Sequence, residues 1–144
     1  MKTVKQILDT KGYAVRSVDA DASVYDAIQL MAEHDIGALL VTESERPVGV
    51  VSERDYARKV ILRGQASRDT PVREVMADHL IVTHPDQDTE ECMAIMTERR
   101  VRHLPVVSGG EVVGIISIGD LVKAIIEDQR FTIEQLGRYI SGEA

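Results

Sequence analysis

One polar pattern occurs twice in the sequence, a serine followed three residues later by an aspartate: Ser52 with Asp55, and Ser117 with Asp120. Each pair directly follows a short apolar run and precedes a helix-like pattern. A serine at such a junction is first of all an N-cap, and Ser-x-x-acid is the capping-box pattern. The reciprocal box prefers Glu or Gln at the third position, because the longer side chain must reach back to the cap N–H. The local pattern therefore supports a helix cap and a binding site about equally.

In the second interpretation, the shorter aspartate side chain points away from the helix end. Its carboxylate can then accept hydrogen bonds from two vicinal hydroxyls, while the free N–H groups of the same turn face an anion. A ribose with an attached phosphate carries both of these groups. On this interpretation we expect Asp55 and Asp120 to point toward such a ligand.

The two pairs belong to an internal repeat, since residues 18–61 align without a gap with residues 83–126. Ordinary composition gives roughly two or three identities over such a stretch by chance. The identities found are Asp21/Asp86, Met31/Met96, Glu33/Glu98, Leu39/Leu104, Val41/Val106, Val48/Val113, Gly49/Gly114, Ser52/Ser117, Asp55/Asp120 and Ile61/Ile126. Any site built on one Ser–Asp pair should therefore exist twice.

Apolar periodicity predicts that each copy is strand, helix, strand, strand, helix. The predicted elements are residues 14–18, 23–34, 38–41, 48–52 and 52–62, and then 80–83, 88–99, 104–107, 112–116 and 117–127. A similar apolar lead-in precedes each copy, at residues 4–8 and 72–76, and residues 63–71 link the copies. The expected organisation is repeat 1 at 1–65, repeat 2 at 66–128 and a C-terminal helix at 129–144.

The C-terminal helix is expected to start at a further capping box, Thr132-Ile-Glu-Gln135. Ile133, Leu136 and Ile140 would form an apolar stripe along it. No element of the repeat pairs with this stripe. We expect it to pack against the body of this chain or against a second subunit.

Bulk properties exclude several classes of protein. A net charge of −7 argues against binding nucleic-acid polymers or anionic membranes, although a local basic spot could hold a small anion. The apolar runs are too short to span a bilayer and the first ten residues do not resemble a signal peptide, so a cytoplasmic location is expected. Cys92 is expected to be a small buried side chain. The four histidines lack metal-ligand spacing, and neither a dinucleotide-fold fingerprint nor a phosphate loop is present.

The repeat order, the G-h-h-S-x-x-D motif (h apolar) that closes each copy and the segment Val101-Arg-His-Leu-Pro-Val106 closely resemble a tandem pair of CBS domains. This cystathionine β-synthase-type repeat is also called a Bateman module, and the resemblance, closest to stand-alone bacterial CBS pairs, covers residues 1–128. It implies a mixed α/β (α+β) fold of two β-α-β-β-α repeats packed with pseudo-twofold symmetry, plus the C-terminal helix. It also implies two clefts between the repeats for adenosine compounds such as AMP, ADP, ATP, NAD or S-adenosylmethionine.

The resemblance also implies roles for individual residues. Asp55 and Asp120 would contact ribose hydroxyls, Ser52 and Ser117 would line the same clefts, and Arg102 and His103 resemble the family's phosphate ligands. The full set of candidate nucleotide-binding residues is Gly37, Ala38, Ser52, Arg54, Asp55, Arg58, Thr83, Arg102, His103, Ser117, Ile118 and Asp120. The family often has a hydroxyl after the lead-in, where this chain has Asp9 and Ala77, and this departure puts one polar ligand contact in doubt.

The two candidate clefts differ in charge. Gly37 and Ala38 stand where the second copy has Arg102 and His103, whereas the first copy has Arg54, Arg58, Lys59 and Arg63 on its last helix. A solvated charged helix and a half-buried histidine are the ordinary explanations for these residues. We predict two chemically unequal sites.

These observations predict a non-catalytic sensor that binds an adenine nucleotide, with AMP and NAD as leading ligands and ATP as another. It would signal energy or redox state to an unknown protein partner and form a homodimer. An alternative is a dimeric interaction scaffold without ligand, in which Ser and Asp only cap helices. A nucleotide-processing enzyme is the least favoured interpretation, because no general base is apparent.

Overall fold

The computed structural model describes residues 1–77 and 79–142, so the last two residues of the predicted 129–144 helix lie outside the described residues. The chain divides into two compact units. The central unit is Val15–Ile81, and the terminal unit combines Met1–Ala14 with Val82–Ala144. Within the described residues, no helix is long and apolar enough to cross a membrane.

The fold is mixed α/β, as predicted. The helices are α1 (Val4–Lys11), α2 (Val24–His34), α3 (Glu53–Asp55), α4 (Thr89–Arg99) and α5 (Ile118–Ile140). The strands are β1 (Ser17–Asp19), β2 (Ala38–Glu43), β3 (Arg46–Ser52), β4 (His103–Ser108) and β5 (Glu111–Ser117). A π-helix spans Tyr56–Ile61 and a 3₁₀ turn spans Val72–Glu74.

The central unit contains a three-stranded sheet of order β1-β2-β3. β1 is parallel to β2, and β2 and β3 form an antiparallel hairpin in which Ala38 pairs with Ser52. The first four residues of β2 are all buried, which is typical of a strand covered on both faces. Ser23 caps α2 by accepting a hydrogen bond from Asp26 N, so this helix begins where the sequence predicts.

The terminal unit contains the β4-β5 hairpin, in which His103 pairs with Ser117. The strand predicted at 80–83 is reduced to a parallel bridge between Thr83 and Val106. Thr83 N donates to Pro105 O and Val107 N donates to Thr83 O, each at 2.9 Å, and the chain turns directly afterwards, as Gln87 N donates to His84 O. Cys92 on α4 is buried, as expected, and burial raises the pKa of its thiol.

Each lead-in segment belongs to the compact unit that contains the other repeat. Val72 and Val75 are fully buried in the hydrophobic core of the central unit, together with residues of α2, β2 and β3. Val4 and Leu8 of α1 are fully buried in the terminal unit. The compact units therefore do not coincide with the consecutive sequence repeats.

The helix after Ser52 is α-helical for its first turn only. The continuation is a π-helix, in which Leu62 N donates to Ala57 O at 3.3 Å and Gln65 N donates to Val60 O at 3.0 Å. These bonds join residues five apart, the spacing that defines a π-helix. The matching helix of the second copy, α5, is an α-helix throughout.

The two helices predicted at 117–127 and from Thr132 form a single helix, α5. The expectation of a separate cap at Thr132 is wrong, because the Thr132 hydroxyl donates instead to Asp128 O, four residues back, at 3.0 Å. No Gly or Pro interrupts residues 121–136, so nothing in the sequence ends the first helix. Ile133, Leu136 and Ile140 are all exposed.

Candidate functional site

The two Ser–Asp pairs form complete capping boxes. Ser52 Oγ accepts from Asp55 N at 3.3 Å, and Asp55 Oδ2 accepts from Ser52 N at 3.0 Å. In the second copy, the corresponding distances are 3.1 Å and 2.8 Å for Ser117 and Asp120. The expectation that the aspartates are too short to close the box, and point away from the helix end, is therefore wrong. Both serines have the extended backbone of an N-cap residue, and in both copies the shorter carboxylate reaches the cap N–H.

The boxes do not bury the carboxylates. The side chain of Asp55 remains 19% exposed and that of Asp120 remains 23% exposed. Each carboxylate lies at the N-terminus of a helix, where the helix dipole favours negative charge. A capping role and a contact with a ligand are therefore compatible for these two residues.

The residues predicted to flank each pair lie beside it. Glu53 N donates to Gly37 O at 3.1 Å, and the equivalent Ile118 N donates to Arg102 O at 2.9 Å. Ala38 and His103 are the strand partners of Ser52 and Ser117. In the terminal unit, a backbone hydrogen bond therefore joins the residue after the cap to Arg102, the predicted phosphate ligand. Arg102 is exposed.

Lys59 engages the first aspartate from within the same helical segment. Its Nζ lies 3.3 Å from Asp55 Oδ1 and donates to Val75 O at 3.0 Å. Asp55 Oδ2 also accepts from Ser52 Oγ at 3.1 Å. Both oxygens of this carboxylate therefore have a polar partner.

Lys11, the last residue of α1, engages the second aspartate. Its Nζ donates to Asp120 Oδ2 at 2.7 Å and to Ile115 O at 2.6 Å. Burial acts to raise the pKa of Asp120, but the hydrogen bonds from Lys11 and Ser117 outweigh it, and the pKa lies below its ordinary value. Asp120 is therefore held in its charged form.

Sequence reasoning missed both lysine contacts. Lys59 could have been found, because a lysine four residues after an aspartate lies on the same helix face. Lys11 gives no such signal, since it lies 109 residues from Asp120 and reaches it only because α1 packs in the terminal unit.

The remaining candidates have different environments. Arg54 is partly buried on α3, and Arg58 is exposed on the π-helix. Thr83 is fully buried, and its hydroxyl contacts Gln87 Oε1 at 2.5 Å and Cys92 Sγ at 3.3 Å. Because its hydroxyl is enclosed in the terminal unit, we leave Thr83 out of the proposed site.

A cavity of about 490 Å³ adjoins the first pair in the central unit. Gly37 and Glu53 line it together with Tyr56 and residues of α2. Of the predicted ligand-binding residues in this unit, Gly37 alone is among those that line this cavity. The cavity therefore does not by itself identify the expected ribose contact.

The sequence profile of the CBS domain matches residues 4–62 and 72–127. The two matches span most of the chain and include both Ser–Asp pairs. The chain belongs to the CBS domain family. As a CBS pair, it is a non-catalytic regulatory module.

Two relatives illustrate the similarity. A solved protein with CBS domains from Burkholderia ambifaria is 52% identical, with a TM-score of 0.85 over 89% of this chain and 96% of that one. The mitochondrial CBS domain-containing protein CBSX3 of Arabidopsis thaliana is 35% identical over 97% of this chain and 72% of its own length. Both are named for their CBS domains.

A more distant CBS domain pair, from protein MJ0100, was solved in complex with 5′-methylthioadenosine and S-adenosyl-L-methionine. It superposes with a TM-score of 0.76 over 86% of this chain at 22% identity. At this identity the similarity concerns the fold alone.

Proposed function

We propose that this CBS pair binds an adenine nucleotide, AMP, ATP or NAD, and signals the energy or redox state of the cytoplasm to a partner protein. The observation that carries this proposal is the duplicated Ser–Asp box with a partly exposed carboxylate in each unit. A chain of the same fold binds two adenosine derivatives, which supports the adenosine class of ligand.

The chemistry of the pairs suits a nucleoside. An ionised carboxylate only accepts hydrogen bonds, and the vicinal hydroxyls of a ribose are donors that can meet both of its oxygens. The pKa of Asp120 lies below its ordinary value, so the acceptor is charged at neutral pH. Binding would stabilise one arrangement of the protein and pass that preference to the partner.

The two sites are proposed to be unequal. Arg102 and His103 place basic groups beside the second pair, whereas Gly37 and Ala38 place none beside the first. The first pair is instead followed by Arg54, Arg58 and Lys59, so phosphate-bearing ligands should bind the two sites with different affinities. Isothermal titration with AMP should resolve two affinities, and two identical sites would contradict the inequality.

Thermal shift and native mass spectrometry test the nucleotide proposal itself. AMP, ATP, NAD or S-adenosylmethionine at a hundredfold excess over its dissociation constant should stabilise the protein by about 2.7 kcal/mol. Asp55→Asn and Asp120→Asn should each weaken binding. Asp26→Asn is the control, because Ser23 and Asp26 have the same Ser-x-x-Asp spacing at the start of α2, where Ser23 Oγ accepts from Asp26 N and no ligand is proposed. If none of the four compounds binds at millimolar concentration, the proposal is wrong.

The alternative function is a dimeric scaffold, and it has one observation in its favour. One apolar face of α5 is exposed and consists of Ile133, Leu136 and Ile140. A second copy of the chain would cover this face. Ile133→Glu should then lower the mass measured by light scattering, whereas Glu134→Gln should not. A protein that dimerises through this face but binds no nucleotide would favour the scaffold.

A further inference from the structure

Lys11 occupies one of the two carboxylate oxygens that the proposed ligand would use. Asp120 Oδ2 accepts from Ser117 N at 2.8 Å and from Lys11 Nζ at 2.7 Å. A carboxylate oxygen has two lone pairs, so these two bonds fill it. A ribose hydroxyl can donate to this oxygen only after Lys11 has moved.

The second contact of Lys11 replaces a backbone hydrogen bond of the other copy. In the central unit, Val50 and Ala77 exchange both backbone hydrogen bonds, at 3.2 Å and 2.9 Å. Ile115 stands at the equivalent position of the terminal unit, and its carbonyl accepts from Lys11 Nζ instead. The lysine side chain therefore takes the place of the backbone that follows the lead-in in the central unit.

The Lys11 ammonium can move away from Asp120 into solvent. Its side chain is 39% exposed, so water can solvate the ammonium once it has moved. Ion pairs in such surroundings contribute little to stability, so a nucleoside can replace this one with its own hydrogen bonds. The α1 helix itself is held by the buried residues Val4 and Leu8, so only the side chain has to move.

The first copy holds its aspartate differently. Lys59 lies 3.3 Å from Asp55 Oδ1, which is longer than the 2.7 Å contact of Lys11, and leaves Oδ2 to the cap. In the central unit, Asp55 Oδ2 accepts from Ser52 N and Ser52 Oγ, and Lys59 contacts the other oxygen. In the terminal unit, the lysine instead contacts the oxygen that closes the capping box.

We propose that Lys11 is an internal competitor of the nucleoside, whose ammonium takes the position of a ribose hydroxyl on Asp120 and is displaced when ligand binds the terminal unit. This inference rests on the proposed nucleotide-binding function. It assigns to Lys11 the control of affinity at one of the two sites. Lys11 acts here through Asp120 and is a positioning residue.

Adenosine is the probe that tests this competition, because it carries the ribose but no phosphate that could attract the lysine. In an Asp55→Asn background, which weakens the central site, Lys11→Met should bind adenosine about 2–5-fold more tightly than the chain with Lys11, in line with the loss of a partly exposed ion pair. Lys5→Met is the matched control, since Lys5 lies on the same helix but pairs with the exposed Asp9.

Two further readouts separate competition from a general change in the protein. Adenosine affinity of the Lys11 protein should rise with salt concentration, because salt screens the Lys11–Asp120 pair, and Lys11→Met should lose this dependence. 2′,3′-Dideoxyadenosine, which lacks both hydroxyls, should gain nothing from Lys11→Met. If Lys11→Met destabilises the fold, Lys11→Gln gives the same comparison.

The outcomes distinguish this inference from the proposed function. If adenosine binds and Lys11→Met leaves its affinity unchanged or weaker, the competition is overturned while nucleotide binding stands. If neither adenosine nor AMP binds any of these proteins in native mass spectrometry, both proposals are overturned. A gain shared by Lys5→Met would also overturn the competition, because it would reflect net charge alone.

Discussion

Gly49 and Gly114, the glycines of the duplicated motif, are required because another segment approaches each of them closely. A Cβ on Gly49 would lie 2.3 Å from the backbone oxygen of Ala77, and one on Gly114 would lie 2.7 Å from Leu8 Cδ2. Leu8 belongs to the first lead-in segment, and Ala77 directly follows the second. The glycine of the motif therefore leaves room for these segments to pack against the strand.

Because the atoms that crowd the two glycines differ, the two alanine substitutions should lower the free energy of unfolding by different amounts. Gly49→Ala must displace backbone and should cost about 1–3 kcal/mol, as overpacking usually does. Gly114→Ala meets the end of a flexible side chain and should cost less. Urea unfolding of the two variants measures the difference, and a larger loss for Gly114→Ala would contradict this account.

The Lys11–Asp120 pair predicts a dependence of stability on pH. The folded-state pKa of Asp120 lies below its ordinary value, so the pair contributes stability above the unfolded pKa, and this contribution is lost as the pH falls through the folded pKa. Lys11→Met should raise the pKa of Asp120 and move acid unfolding to higher pH. The carbon-13 shift of the Asp120 carboxyl, titrated in both proteins, measures this, and an unchanged pKa would contradict it.

At the scale of helices and strands, the sequence predicts the features that are determined by residues close together in the chain. The hairpins formed by β2 with β3 and by β4 with β5 lie within two residues of their predicted bounds, because alternation and turn composition are local. Two features were not predicted: the reduction of one strand to a bridge at Thr83 and the π-helix at Tyr56–Ile61. Both are defined by backbone hydrogen bonds that apolar periodicity does not report. The placement of the lead-ins depends on contacts distant in sequence.

The continuity of α5 predicts opposite effects for two similar substitutions. Ser117 is a true N-cap, so Ser117→Ala should cost about 0.5–2 kcal/mol. Thr132 lies inside the helix, and Thr132→Ala should be neutral or stabilise by a few tenths of a kcal/mol, because alanine has the higher helix propensity. Circular dichroism during urea unfolding measures both, and a loss of about 1 kcal/mol for Thr132→Ala would indicate a cap there after all.

At the scale of the whole molecule, the exchange of lead-ins determines which fragments should fold. The fragment 15–81 contains the complete central unit, including Val72 and Val75. The fragment 1–65, which follows the proposed repeat boundary, lacks both valines and leaves their part of the core open. Burial of a valine side chain contributes about 1.5–3 kcal/mol to the free energy of unfolding, and domains of this size are only marginally stable. Fragment 1–65 should therefore not fold without these two valines.

We therefore expect a cooperative thermal transition for fragment 15–81 and none for fragment 1–65. Circular dichroism compares the two, and adding residues 66–77 back to the shorter fragment is the control that should restore folding. Cooperative folding of 1–65 alone would show that the repeat, and not the compact unit, is the folding unit.

The exchanged lead-ins also bear on how such a chain could have arisen. A half-length ancestor with one repeat would have a lead-in that can pack against the sheet of any copy of the same protein. Two copies could therefore exchange their lead-ins and form a domain-swapped dimer. Gene duplication and fusion would then place both copies in one chain, so that the lead-ins are exchanged within a single molecule. The effective concentration of each lead-in is far higher there than between separate molecules. After fusion the two halves could diverge, and the chain now uses a lysine in one half where the other uses backbone.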